Sequence, residues 1–75
     1  MSIIGCVSFW NTKGFGFIDY SDNGEIKSIY THYTQLIGTD KLKKHSIVRF
    51  EIGSNDRGAI AREVEVLDGK IKGNS

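Results

Sequence analysis

Eight consecutive residues, Lys13-Gly14-Phe15-Gly16-Phe17-Ile18-Asp19-Tyr20, hold the side chains with the plainest chemistry in this 75-residue chain. At a period of two, Phe15 and Phe17 share one face of an extended segment, and Gly14, Gly16 and Ile18 share the other. Two phenyl rings side by side on a strand give a flat apolar surface on which planar ring systems stack. The glycines leave room for close approach, and the ammonium of Lys13 meets an anion such as a phosphate. A second aromatic segment, Ile29-Tyr30-Thr31-His32-Tyr33, puts Tyr30 and His32 on one face and Ile29 and Thr31 on the other. Together with Phe9, Trp10 and Tyr20, these rings concentrate the aromatic residues between positions 9 and 33, and only Phe50 lies outside. Small barrels and sheets have few interior positions, and this many rings would overfill one core. An exposed aromatic platform is therefore expected, with Phe50 in the interior.

Other chemistries find little support. His32, His45 and Cys6 show no paired metal-ligand spacing, so no metal site is expected. Nothing adjacent in sequence activates Cys6 as a nucleophile, and it reads as a small hydrophobe. No nucleophile elbow, phosphate-binding glycine loop or zinc pattern occurs, so neither catalysis nor a cofactor nor a small-molecule substrate is expected. Lys41, Lys43, Lys44 and Arg49 read equally as a solvated loop face or as the basic rim of a groove, and Lys27 and Arg57 have similar standing. Asp19, Asp22 and Glu25 would turn a phosphate backbone away from their end of the surface.

The elements that must carry these residues are strands. Ile3 to Trp10 is rich in β-branched and aromatic residues and stops at Asn11-Thr12, and Lys13 to Tyr20 is the second strand. Ser21-Asp22-Asn23-Gly24 is a hairpin signal. Ile26 to Tyr33 is a third strand, Thr34 to His45 a loop with one helical turn, Ser46 to Ile52 a fourth strand and Ala59 to Leu67 a fifth. The fold class expected is all-β, a five-stranded antiparallel barrel of the oligonucleotide-binding type, which closes its edges within a short chain. Residues 1–67 read as one domain, with 68–75 as a frayed tail.

Composition bounds what remains. Ten Lys plus Arg against nine Asp plus Glu give a formal charge of +1, which excludes a strongly basic phosphate-coating arm. With 39% apolar residues and no apolar run near ~20 residues, the chain reads as globular and not membrane-spanning. The single cysteine and the absence of a secretory pattern at Met1 to Gly5 lead to the expectation of a cytoplasmic protein.

Lys13 to Tyr20 matches the RNA-binding signature K/R-G-F/Y-G/A-F-V-x-F/Y except for Ile in place of Val. In the RNA-recognition motif that signature follows a strand and a helix, whereas only twelve residues precede it here. With Gly5-Cys6-Val7-Ser8-Phe9-Trp10-Asn11 ahead of it and Ile29 to Tyr33 behind, the chain resembles the cold shock domain family from about Gly5 to Leu67. The resemblance implies a barrel that holds single-stranded RNA or DNA on the face of its first three strands, without enzymatic activity, and a monomer is expected. Family members act as RNA chaperones or as regulators of transcription and translation. Carried over, Phe15, Phe17, Tyr30, His32 and Tyr33 form the platform, Phe9 and Trp10 extend it, and Lys13 reaches the backbone. This sequence departs from the family pattern in several places. Phe9-Trp10 inverts the usual Trp-Phe order, Ser8 replaces a lysine, Thr31 occupies a buried valine position, and Ala59 stands for a proline. A protein-interaction barrel with an aromatic peptide pocket is the alternative reading.

Overall fold

A computed structural model describes residues 2–67. The expectation of a frayed tail at 68–75 falls outside them. Five strands are present: β1 (Ile3–Asn11), β2 (Phe15–Asp22), β3 (Glu25–His32), β4 (Ile47–Asn55) and β5 (Gly58–Val66). They close a barrel in the order β1-β2-β3-β5-β4, with β4 returning to pair with β1. Four pairings are antiparallel, and β3 meets β5 in parallel at Tyr30 and Ile60. This is the all-β, five-stranded barrel of the oligonucleotide-binding kind that the strand pattern implied.

Local sequence explains the turns. Asp22 pairs with Glu25 across a two-residue loop in which Asn23 and Gly24 have φ of 54° and 86°. Both central residues at positive φ make the mirror-image turn whose twist matches a hairpin, and Asn-Gly is the dipeptide that accepts it most readily. The β4–β5 hairpin is longer than the sequence suggested, because pairing continues to Asn55 and Gly58. There the Asn55 side chain accepts the amide of Arg57 at 2.9 Å and closes the turn. The helix-compatible Lys41 to Lys44 forms no helical turn, and the short 3₁₀ turn of the described residues, Tyr33–Gln35, follows directly on β3.

Inside the barrel Val7, Ile18, Ile29, Leu42, Val48, Phe50, Ala61 and Val64 make one cluster. Phe50 is fully buried and meets the ring of Tyr20 edge-on at 5.6 Å. Thr31 is fully buried as well, and its hydroxyl donates to the carbonyl of Ala61 at 3.1 Å, which satisfies a polar group that would otherwise be costly there. Cys6, expected to pack as a small hydrophobe, is only half-buried, since it alternates with inward-facing Val7.

One departure from regular alternation positions the site. On β1, Val7 pairs with Ile18 but Phe9 pairs with Phe17, so Ser8 is an extra residue in a β-bulge. Val7 and Ile18 both face inward, and Phe9 and Phe17 both face solvent. Strict period-two counting from Val7 would have turned Phe9 inward and Trp10 outward. The bulge reverses that parity.

His45 is a non-glycine residue at φ 75°, exposed in the loop that precedes β4. Its amide donates to the Val7 carbonyl at 2.7 Å, so the backbone conformation is fixed by the barrel. A left-handed residue with a Cβ costs roughly 1–2 kcal/mol, part of which glycine gives back through unfolded-state entropy. His45→Gly is therefore expected to raise Tm by about 4–8 °C, corresponding to about 1 kcal/mol in a domain of this size. Thermal unfolding followed by circular dichroism checks this, and an unchanged or lower Tm refutes it.

Candidate functional site

The bulge and the strand registers bring four rings together on the outer face of β1–β3. Phe17 lies opposite Phe9 on one side and opposite Tyr30 on the other, and Phe15 lies opposite His32. Ring centroids are 6.3 Å apart for both Phe9–Phe15 and Phe9–Phe17. Tyr30 meets Phe15 nearly parallel, at 6.2 Å and 27°, and Phe17 edge-on at 5.9 Å. The spacing suits mutual support through ring quadrupoles while the outer surfaces of the rings stay open. Phe9 is 44% exposed, Phe17 38% and Tyr33 46%, so the cluster forms an apolar surface that no part of the described chain covers.

His32 and Tyr33 extend this surface toward the β1–β2 turn, with centroids 4.5 Å apart. His32 also has a structural task. Its Nδ1 lies 3.0 Å from the Thr34 hydroxyl and accepts the Thr34 amide at 3.4 Å, capping the 3₁₀ turn. Those contacts fix the ring plane beside Tyr33. The Tyr33 amide in turn donates to the Gly14 carbonyl at 2.8 Å.

The signature glycines serve this arrangement differently from the expectation that they admit a ligand. Gly14 sits at φ 102°, and a Cβ built there would lie 2.5 Å from Cδ2 of Tyr33. The missing side chain is the space the Tyr33 ring occupies. Gly16 is buried, and a Cβ there would strike the Phe9 carbonyl and lie 2.7 Å from Cε3 of Trp10. The protein's own rings fill both spaces.

Trp10 differs most from the sequence-based placement. It does not extend the platform beside Phe9. It lies over Gly16 on the opposite side of β1, half-buried and packed against the core, because the bulge at Ser8 turned it inward. Lys13 is exposed in the β1–β2 turn, where the Asn11 side chain accepts its amide at 2.8 Å. The remaining named residues, Phe9, Phe15, Phe17, Tyr30, His32 and Tyr33, share one continuous surface.

Charge is distributed unevenly around that surface. At the β2–β3 hairpin, Lys27 is paired with Asp22 at 2.8 Å. This hydrogen bond, reinforced by the carboxylate's charge, holds the Lys27 ammonium above its ordinary pKa. The Ser28 hydroxyl donates to Asp19 at 2.5 Å in the same half of the hairpin. Cations stand at the other boundaries. Arg57 joins Tyr30, His32, Thr34 and Asn55 around a shallow groove between β3 and the β4–β5 turn, and Lys41 and Lys44 line a cleft that Phe9 also lines. Arg49, by contrast, is paired with Glu65 on the far side of the barrel. The sequence put Lys27 and Arg57 near the loops that flank the platform and left open whether Lys41, Lys43, Lys44 and Arg49 line a groove or face solvent. Thr34 and Asn55 it did not single out, and their signal was only the turn-forming character of their segments.

Among the described residues, no group of three or more His, Cys, Asp and Glu side chains could hold a metal ion. No described helix is long and apolar enough to cross a membrane. An all-β barrel with an open aromatic face on its first three strands, edged by unevenly placed cations, is an arrangement that accepts flat heterocycles joined by phosphates. The family model described as 'Cold-shock' DNA-binding domain matches residues 3–67, which takes in all five strands, and the chain thus belongs to the cold-shock domain family, whose members bind nucleic acid.

Proposed function

We propose that this protein binds single-stranded RNA or DNA by stacking bases on Phe9, Phe15, Phe17, Tyr30, His32 and Tyr33, with Lys13 meeting the phosphate backbone. It would act as an RNA chaperone or as a regulator of transcription or translation, and not as an enzyme. The observation that carries this reading is the continuous, solvent-open ring surface built by Phe9, Phe15, Phe17 and Tyr30. Stacking is tolerant of base identity, since each base has a π-face, and it suits a role that requires low sequence specificity. The closed barrel supports action as a monomer, because closure removes the sheet edges through which β-proteins associate.

The charge balance gives this reading a measurable signature. A net charge of +1 with few cations beside the rings leaves a small electrostatic contribution. Each phosphate contact to a single strand steepens the log–log salt dependence by about 0.7. The expected slope for a pyrimidine-rich single strand is accordingly shallow, roughly −1 to −3, with binding persisting at moderate salt through stacking. Fluorescence anisotropy of a dye-labelled strand across a salt series checks this. No binding at low salt would overturn the assignment, and a slope steeper than about −5 would show that charge, not stacking, holds the strand.

A further inference from the structure

A cavity of about 820 Å³ lies between the segment that follows the 3₁₀ turn and the end of β5, and among the described residues no aromatic ring lines it. Its apolar walls are Ile37, Leu42 and Val66. Small-molecule sites enclose ~300–1,000 Å³, are mostly apolar and carry a few convergent polar groups. The walls are firmly held. The Ile37 amide donates to the Val64 carbonyl at 2.8 Å, and buried Leu42 belongs to the core cluster. The Ile37 side chain is 51% exposed, an apolar surface that nothing in the described chain covers.

Ser46 is the most informative residue in this lining. It is only 8% exposed. Both of its backbone groups are engaged: the amide donates to the Lys43 carbonyl at 3.1 Å, and the carbonyl accepts the Val7 amide at 2.9 Å. The hydroxyl, by contrast, makes no hydrogen bond among the described residues. Its oxygen is not sealed off, and the access it keeps is to the cavity that Ser46 lines. A hydroxyl this deeply buried is costly without a partner. Lys43 belongs to the same turn, so its ammonium and the Ser46 hydroxyl can meet one ligand. Lys41 and Lys43 are exposed on the rim, and neither takes part in an ion pair among the described residues. Glu65, the one carboxylate in the lining, is paired with Arg49.

We propose that this cavity binds a small amphipathic carboxylate, a straight acyl chain with one anionic head. The chain lies on Ile37, Leu42 and Val66, while the carboxylate accepts the Ser46 hydroxyl and is neutralised by Lys43 and Lys41. Both halves of the ligand follow from the lining. An uncharged chain would leave the lysines unmatched, and an inorganic anion would leave the apolar walls uncovered. None of the residues proposed to stack bases lines this cavity, so the proposal stands independently of the single-strand reading.

Titration of the isotope-labelled full chain with sodium octanoate, followed through amide shifts in NMR spectra, tests this. Signals of Ile37, Ser46 and Val66 should shift saturably, and those of Phe15, Phe17 and Tyr30 should stay in place. Octanoate should bind about tenfold more tightly than hexanoate, the gain from burying two further methylenes. It should also bind at least about threefold more tightly than octanol, which has the chain without the charge. Lys43→Gln should remove most of that preference for octanoate over octanol. Ser46→Ala should weaken octanoate about tenfold through loss of a charge-assisted hydrogen bond, and it should not lower Tm, because the unliganded hydroxyl has no partner to lose. A lower Tm for Ser46→Ala would show that the hydroxyl serves the fold and would overturn its assignment to a ligand. Equal binding of octanoate and octanol, or shifts spread evenly over the molecule, would refute the site. If dilution of the unliganded protein, or Ile71→Asp, moves the Ile37 and Ser46 signals, a second copy or the chain's own C-terminal segment covers the cavity and the proposal falls.

Discussion

Replacing Tyr30 with alanine is expected to weaken binding of a pyrimidine-rich single strand by roughly 5- to 150-fold while the barrel stays folded. The range follows from the ~1–3 kcal/mol that a stacked base contributes at one aromatic side chain, a tenfold change for each 1.4 kcal/mol. Tyr30 is the ring with most leverage, because it supports Phe15 by near-parallel stacking and Phe17 by edge contact. Its removal deletes one stacking surface and frees two others to move. The barrel has less to lose, since the side chain is only half-buried and β3 keeps its backbone pairing to β2 and β5. Phe15→Ala should behave similarly. Tyr20→Ala provides the contrast: Tyr20 packs edge-on against Phe50 and on the core. It should lower Tm and leave the affinity of the folded fraction unchanged. If Tyr30→Ala, shown to be folded by its circular dichroism spectrum, bound as tightly as the parent, the platform would be wrongly assigned.

Gly16→Ala is expected to be the most damaging single-methyl change in the signature. The added Cβ meets the Phe9 carbonyl and the Cα of Trp10 as well as its ring, so backbone must move and no side-chain rotation relieves it. Overpacking of this kind costs about 1–3 kcal/mol, and more where backbone resists. At about 4–8 °C per kcal/mol, Tm should fall by roughly 10 °C or more, a large loss for a domain whose total stability is of order 5 kcal/mol. Affinity should drop too, because the atoms displaced belong to Phe9 and Trp10. Thermal unfolding together with an oligonucleotide titration measures both effects. A Tm within about 2 °C of the parent would mean that the β1–β2 approach is looser than the structure shows.

The phenylalanines and the glycines carry two different meanings within one motif. In Lys13 to Tyr20, alternation correctly put Phe15 and Phe17 on the open face and Ile18 in the core, because period two is a property of any extended chain. The glycines carried no such information. A glycine marks a space without saying what fills it, and here Tyr33 and Trp10 fill it from segments distant in sequence or across a strand pair. The hairpin at Asn23-Gly24 was legible for the opposite reason, since its positive φ values are a local demand that two residues meet by themselves. The β4–β5 turn was read too long, as Gly53-Ser54-Asn55 has turn composition but stays paired in the ladder. A hydroxyl at the buried position of Thr31 needs a partner, and the Ala61 carbonyl that serves it lies thirty residues on.

The sequence by itself determined the class of the fold, the five strands, the buried position of Phe50 and the concentration of rings on the first three strands. Each of these depends on local composition and period. Only the tertiary structure decided which of Phe9 and Trp10 joins the platform, since one unpaired residue at Ser8 inverts the faces of everything after it and no local pattern announces a bulge. Barrel closure likewise decided where the cations stand, by placing Lys41 and Lys44 around the same cleft as Phe9 and leaving Arg49 with Glu65. Proximity across a closed sheet arises from pairing between distant strands, and the chain's linear order does not contain it.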